Sequence, residues 1–304
     1  MPHLWSVLAW AQNKIKEVIM KYLAASDLHL TAEIPRCRVD DYITVQAKTI
    51  ETIYDIAERE EATVILAGDI FDKARPIKQS QELEIFLIEQ VRRAPTLMIA
   101  GQHDLLYHDI KNLGKGSYGV VLKALNCEVP EEIALFNFDE EIKNIPGKRI
   151  AVLHKFTVQK TVPPFMDGIT ARELLDNFDY DLFICGDNHA GFVYEGENNR
   201  YVLNCGSVMR RTSDKIDYQP KCYLYDTDRE TLKSFDLPDT DPEAIDITYL
   251  EERQKRDDRI ENFVKKLTGD VNLSMSFSEN LEIHIKENEV NAKIAEKIYQ
   301  ALEV

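Results

Sequence analysis

Paired cysteines are missing from this chain. Its five cysteines, Cys37, Cys127, Cys185, Cys205 and Cys222, are scattered, and none forms a CxxC pair. That spacing disfavours a zinc knuckle or a disulfide framework and suits a cytoplasmic, reducing compartment. A long apolar run is missing too. No segment approaches the roughly 18 consecutive apolar residues of a membrane span, so no membrane partner is expected. The N-terminal "HLWSVLAWAQ" has a short apolar run and ends near Ala9 and Ala11 in the manner of a signal peptide, but it lacks a Lys/Arg lead. Met20 reads as an alternative start, which leaves residues 1–19 as an N-terminal extension.

Basic charge is scarce. With 37 Lys and Arg against 53 Asp and Glu the net charge is −16, so the average surface repels polyanions. A protein that binds DNA by itself ordinarily carries an excess of Lys and Arg, because phosphate neutralisation dominates affinity. Action on nucleic acid by this chain therefore requires a local basic patch, bound metal or a partner. Repeats and low-complexity tracts are absent as well. What remains, 304 residues at 44% hydrophobic content, suits one large domain with an appendage.

From Lys21 onward short apolar runs alternate with amphipathic segments. "KYLAAS", "ATVILAG" and "TLMIAG" read as strands, and "VQAKTIETIYDIAERE" and "SQELEIFLIEQVRRA" as the helices between them. That alternation predicts parallel strands in an α/β sheet buried on both faces, with active groups beyond the carboxyl ends of the strands. "RIAVLH", the helix "TARELLDNF" and "DLFICG" continue the pattern. The grammar then changes to "GFVYEG", "RYVLNCGS", "KCYLYDTD" and "TLKSFDL", which predicts a β-rich second half forming a second sheet. "DLPDTDPEAID", Asp236 to Asp246, reads as a linker. Beyond it come a charged helix, a strand in "NLEIHIKE" and a terminal helix with Ile294, Ile298 and Leu302 at helical spacing.

Five loops that follow strands carry chemistry. They supply Asp27 and His29, then Asp69 and Asp72, then Gln102, His103 and Asp104, then His154, and finally Asp187, Asn188 and His189. One such loop is ordinarily a turn or a helix cap. Five at successive strand ends gather carboxylates and imidazoles in one crevice, where they repel or stay unpaired unless cations sit between them. There are too many candidate ligands for one tetrahedral ion. Mixed Asp, His and amide donors suit two octahedral ions, a device for phosphate esters.

The motifs "DLH", "GDIFD", "GQHD", a lone His after a strand, and "GDNH", in that order over residues 21–210, resemble those of the calcineurin-like metallophosphoesterases. "GDIFDKARP" is similar more narrowly to the SbcD-type nuclease subunits of double-strand-break repair. The resemblance implies a four-layer α/β/β/α sandwich over residues 20–237 and a small C-terminal α+β appendage that caps or docks over 238–304. It implies metal one held by Asp27, His29 and His189, metal two by Gln102, His154 and Asp187, and Asp69 bridging them. It makes His103 the residue that orients the scissile phosphate and protonates the leaving oxygen, with Asp104 holding its ring. The ions it implies are Mn²⁺, with Mg²⁺ or Fe²⁺ as substitutes. The partners it implies are DNA and an SbcC-type coiled-coil ATPase, and self-association into a homodimer is compatible with it.

Two residues depart from the family pattern, Gln102 for Asn and Asp187 for His, both on metal two. Gln keeps the amide oxygen on a longer arm, and Asp brings a hard anionic oxygen that favours Mn²⁺ or Mg²⁺. Asp72 stands where some relatives have a histidine near the substrate, as a candidate substrate contact or as a brace for the loop. Arg210 and Arg211 in "GSVMRRTSDK" are candidate phosphate contacts, against an ordinary salt-bridged turn. "NLGKGSYG" lacks Walker spacing and reads as a flexible loop. Two readings compete with a nuclease: a phosphodiesterase or phosphatase for a small or lipid-linked substrate, and a weakly active scaffold that binds DNA ends.

Overall fold

In the strand β1 (Lys21–Ala25), Tyr22 and Ala24 join one apolar cluster while Leu23 and Ala25 join another. The strands β2 (Thr63–Ala67) and β3 (Thr96–Ile99) divide the same way, because side chains alternate across a strand and both faces of this sheet are covered. The computed structural model describes residues 20–75, 80–125 and 127–248, with short pieces between 255 and 297. The chain divides into two compact units, Met1–Ile247 and Thr248–Val304.

The first unit holds two five-stranded sheets. One pairs β1, β2 and β3 in parallel and adds β11 (Lys221–Asp226) antiparallel beside β1 and β12 (Thr231–Asp236) antiparallel beside β11. The other runs β4 (Ile133–Phe136), β5 (Ile150–His154), β8 (Leu182–Gly186) and β10 (Tyr201–Asn204) in parallel, with β9 (Phe192–Glu195) antiparallel at its edge. β6 (Thr157–Val158) and β7 (Ile169–Thr170) form a small third pair. Between the large sheets lies a shared core that joins Ile65 and Leu97 to Val152, Ile184 and Leu203. Helices α1 (Tyr42–Glu60), α2 (Gln81–Val91) and α3 (Gly116–Ala124) cover the first sheet, and α4 (Ala171–Asn177) covers the second. This is the α/β/β/α sandwich.

Helix α1 shows why the local sequence yields this layering. Ile50, Ile53, Tyr54 and Ala57 recur at helical spacing and are buried, each large apolar side chain contributing about 1.5–3 kcal/mol. The Asp41 side chain accepts the Thr44 N–H to open the helix, and Glu61 ends it in the left-handed region at φ 53°.

Four expectations are corrected. The β-rich second half does not make the second sheet alone. β9 and β10 join it, but β11 and β12 return to the first sheet, which they extend beyond β1. The stretch expected as a glycine-rich loop opens helix α3, because Tyr118 and Val121 bury into the first core. The Asp236–Asp246 stretch is packed rather than free: Leu237, Ala244 and Ile245 are buried, and Asp239 is an ion-pair partner inside the fold. In "NLEIHIKE" the described residues Leu281, His284, Ile285 and Lys286 are helical, not extended. Leu281 and Ile285, four apart, are the half-buried ones, as a helix face requires. The charged segment before it falls mostly outside the described residues, as do Ile298 and Leu302, whereas Ile294 is exposed.

The two parallel sets bring the carboxyl ends of β1, β2, β3, β5 and β8 to one edge. Truncating Ile184, fully buried between the sheets, to Ala is expected to cost about 2–5 kcal/mol. A fall in the urea midpoint at unchanged slope checks this.

Candidate metal centre

The loops after β1 and β2 are zipped together by the backbone. Asp27 N–H donates to Gly68 O (3.0 Å), His29 N–H to Asp69 O (2.9 Å) and Leu30 N–H to Ile70 O (2.9 Å). To hold these bonds and still turn their side chains to the edge, Asp27, His29 and Asp69 adopt φ of 51°, 44° and 48°, and Asp187 adopts 84°. Left-handed backbone at four non-glycine residues costs of order 1–3 kcal/mol each and concentrates where a site is built. The glycines around them are sterically required. A Cβ on Gly68 would lie 2.2 Å from His154 Nδ1, and one on Gly101 would lie 2.1 Å from Asp69 Oδ1.

Asp69 is the centre of the cluster. Its Oδ1 accepts the His103 backbone N–H at 2.9 Å, which fixes the carboxylate and leaves Oδ2 facing inward. Oδ2 lies 3.7 Å from His29 Nε2 and 3.5 Å from His154 Nε2. On one side, Asp27 Oδ1 lies 3.9 Å from His29 Nε2 and 3.6 Å from His189 Nε2, and the two imidazole nitrogens are 3.0 Å apart. On the other side, His154 Nδ1 meets Ala67 O at 2.8 Å, so that nitrogen carries the proton and Nε2 is the one turned to Asp69. Asp27, His29 and His189 form one potential ligand group, Asp27, Asp69 and His154 a second, and His29, Asp69 and His103 a third.

The residues fit divalent cations. Asp69 Oδ2, His154 Nε2 and Gln102 Oε1 are buried and have no hydrogen-bond partner, although buried polar atoms are ordinarily satisfied. Hard carboxylate and amide oxygens with imidazole nitrogens form a donor set for Mn²⁺, Mg²⁺, Fe²⁺ or Zn²⁺. Electrostatics agree. Burial raises the Asp27 carboxyl and pulls the His29 imidazole well below its ordinary range. Burial also opposes the charges on Asp69 and His154, but each overrides it for the other. Asp69 falls to about 2 and His154, helped by Asp27, rises to about 10. A proton on His154 thus occupies the place a cation would take.

Several expected roles change. Asp104 does not hold the His103 ring. Its carboxylate is buried and accepts N–H bonds from Ile70 (3.1 Å), Phe71 (2.8 Å) and Gly101 (2.9 Å), which ties the β2 and β3 loops together. The His103 ring is held instead at Nδ1 by the Asp72 backbone carbonyl, at 3.0 Å. Asp72 is not placed as a substrate contact, because its carboxylate Oδ1 sits between Arg211 Nη2 (2.5 Å) and His29 Nδ1 (3.7 Å). Arg210 does not reach the cleft. It is buried, and its guanidinium is taken up by Asp239 and by the carbonyls of Ile216 and Asp241. Arg211 is half-buried beside His189.

Asp187 lies at the edge of the cluster but in none of its three ligand groups. Its Oδ1 accepts from Gln102 Nε2 at 2.8 Å, and its backbone N–H donates to both oxygens of Asp27 at 3.2 Å. The two departures from the family pattern are therefore one hydrogen-bonded pair. A carboxylate can only accept, so it fixes the amide with nitrogen toward Asp187 and Oε1 away from it.

Sequence reasoning missed two supports. Asn204, the polar end of an apolar strand, donates to Asn188 O (2.6 Å) and Ala190 O (3.0 Å) and so shapes the loop bearing His189. Its position at the end of "YVLN" was a usable signal. Arg38 donates to both Asp239 oxygens at 2.8 Å and to Arg210 O at 3.0 Å, across separations that no local pattern reveals.

A carboxylate–imidazole cluster able to hold divalent cations thus sits at the shared carboxyl edge of two sandwiched sheets, the place and donor set of a metallophosphoesterase. Residues 20–230 match the calcineurin-like phosphoesterase superfamily domain, and the chain belongs to that superfamily. Solved structures similar to it include an archaeal phosphodiesterase (17% identity, 72% of this chain and 100% of that one, TM-score 0.40). Others are a dimetal phosphatase from Danio rerio (10%, 68% and 92%, 0.43) and Vps29 of Chaetomium thermophilum (13%, 68% and 79%, 0.33). No curated protein matches the chain. No helix among the described residues is long and apolar enough to cross a membrane, and the five cysteines are free.

Two outcomes are expected. Because His154 keeps its proton up to about 10, cation binding near neutral pH must displace it. Affinity therefore rises with pH through the neutral range, by up to about tenfold per unit, and about one proton is released. Calorimetry in buffers of different ionisation enthalpy reads that proton. Asp187→Ala and Gln102→Ala are each expected to weaken cation binding about tenfold, and the double variant no further, because both break one unit. Titration of bound Mn²⁺ by electron paramagnetic resonance measures the three.

Proposed function

We propose that this chain is a DNA exo/endonuclease of the SbcD type, which hydrolyses phosphodiesters at a centre of two divalent ions, Mn²⁺ by preference, and works in the cytoplasm with an SbcC-type coiled-coil ATPase. The observation that carries the hydrolytic part is Asp69 Oδ2, buried without a hydrogen bond between His29 Nε2 and His154 Nε2, the arrangement of a carboxylate shared by two ligand groups. Asp27, His29 and His189 would hold one ion, and His154, Gln102 and Asp69 the other. Bound there, such ions polarise phosphoryl oxygens and neutralise the charge of in-line displacement.

The chain's own residues supply the rest. His103 lies within reach of His29 and Asp69, and the Asp72 carbonyl holds its Nδ1, so its Nε2 is the atom available to the leaving oxygen. As Nδ1 keeps its proton, Nε2 gives one up and the ring returns to neutral. His189 lies at the open side of the cluster, with 42% of its side chain exposed, and offers substrate an approach that the buried members do not.

The DNA reading is supported by "GDIFDKARP", and with a net charge of −16 it requires a partner that supplies basic surface. The same charge favours the second reading, a phosphodiesterase for a small or lipid-linked substrate.

End-labelled linear duplex incubated with Mn²⁺, with and without the ATPase, separates the readings. The nuclease reading expects cleavage that falls about 10³-fold in Asp69→Asn and about 10²–10⁴-fold in His103→Ala. Hydrolysis of small diesters with intact duplex would transfer the assignment to the second reading. Wild type and variants equally inert on both, while still binding DNA ends, would leave only a scaffold.

A further inference from the structure

Two pockets flank the metal cluster, and their linings have opposite character. The larger, about 410 Å³, adjoins His154 and Asp187 and is lined by Asp139, Glu140, Glu141 and Asp167 among aromatic residues. Its one lysine, Lys155, is paired with Asp167 at 3.1 Å, and its His154 imidazole is turned to Asp69. The smaller, about 230 Å³, adjoins His189 and is lined by Ser207, Arg211, Thr212, Lys215 and Tyr218.

We infer that the His189-side pocket is a subsite for a second phosphate of the substrate, with Arg211 and Lys215 as its contacts. The inference rests on the phosphodiesterase reading and adds to it the direction in which the substrate lies. His189 belongs to the cluster and also forms the pocket wall, so a phosphate held there is next to the one being cleaved. Lys215 Nζ stands 5.3 Å from the Tyr218 ring centroid, and no carboxylate partner is found for it among the described residues. Arg211 is half-committed. Its Nη2 bonds Asp72, while its buried Nε has no hydrogen-bond partner. A guanidinium anchored at one nitrogen and lining a pocket is pre-oriented to offer its remaining N–H groups to an anion.

The loop carrying these residues is fixed from behind. Arg210 and Arg38 converge on buried Asp239, and the Arg210 backbone N–H donates to the same carboxylate at 2.7 Å. Seen this way, the adjacent arginines divide the work, with Arg210 holding the loop and Arg211 facing the pocket. On the far side of the cluster, four carboxylates would repel a second phosphate. The two linings therefore give the cleft a polarity, with further phosphate toward His189 and non-anionic parts of the substrate toward Asp187.

The second phosphate has two sources, the flanking diester of a polynucleotide or the terminal monoester of a small nucleotide. Hydrolysis and calorimetric binding of dTpdT, pdTpdT and dTpdTpdT, with Mn²⁺, distinguish them. In wild type at least one of the two longer probes should exceed dTpdT in kcat/KM by about tenfold, mainly through KM, and should bind tighter by a similar factor. A gain for pdTpdT alone marks the terminal source, and a gain for dTpdTpdT alone marks the flanking one. Lys215→Met should abolish most of that ratio, and Arg211→Met should do the same. Lys215 is the cleaner variant, since it takes no part in the Asp72 pair. Equal handling of all three probes by wild type, or a ratio that survives both substitutions, overturns the subsite. If wild type hydrolyses none of them, the phosphodiesterase reading fails. The binding ratio still decides whether the pocket takes a second phosphate.

Discussion

The site is organised by one bond, from the His103 backbone N–H to Asp69 Oδ1. It locks a buried carboxylate so that its second oxygen lies between His29 and His154, and it joins the β3 loop to the β2 loop. Everything near it serves that placement. Asp104 ties the same two loops through three backbone N–H groups, and Gly101 is bare because any Cβ would strike Asp69 Oδ1. A buried carboxylate oxygen without a partner is costly, and the cost falls only when a cation or a proton lies against it. The opposed shifts of Asp69 and His154 express that competition.

The strain follows from the same requirement. His154 reaches the cluster from within the β5–β8 ladder, whereas the residues that follow β1 and β2 take left-handed backbone. Asp27, His29 and Asp69 turn in this way, and the ladder bonds from Asp27, His29 and Leu30 hold them there. The flanking sheets supply the stability that this placement uses, through a core continuous from Ile65 to Ile184.

The pairing of Gln102 with Asp187 changes the meaning of both departures from the family pattern. Taken singly, each is a substituted ligand. Together they are a donor and an acceptor 2.8 Å apart, in which Asp187 orients the amide whose oxygen faces away from it. The acidic chain is likewise not uniform around the cluster. Arg211 and Lys215 line the pocket beside His189, and Asp139, Glu140 and Glu141 line the pocket beside Asp187, so the two sides of the cluster differ in the charge they present.

Much was settled by the sequence alone. The sandwich was implied by the resemblance of five motifs to a known family. Alternating strands and helices predicted a parallel sheet buried on both faces, and His, Asp and amide residues after five strands predicted a metal-binding cluster of Asp27, His29, Asp69, His103, His154 and His189. The sheet and cluster readings rest on local periodicity and on the rule that parallel strands end at one edge. Tertiary structure decided what depends on residues far apart in the chain. It set Asp104 to the loops instead of the His103 ring, sent Arg210 into a buried pair with Asp239, and returned β11 and β12 to the first sheet. It also placed Leu281, His284, Ile285 and Lys286, the described residues of "NLEIHIKE", in helix. In each case the deciding partner lies tens to more than a hundred residues away or the choice turns on which face is buried, and neither is encoded in local spacing.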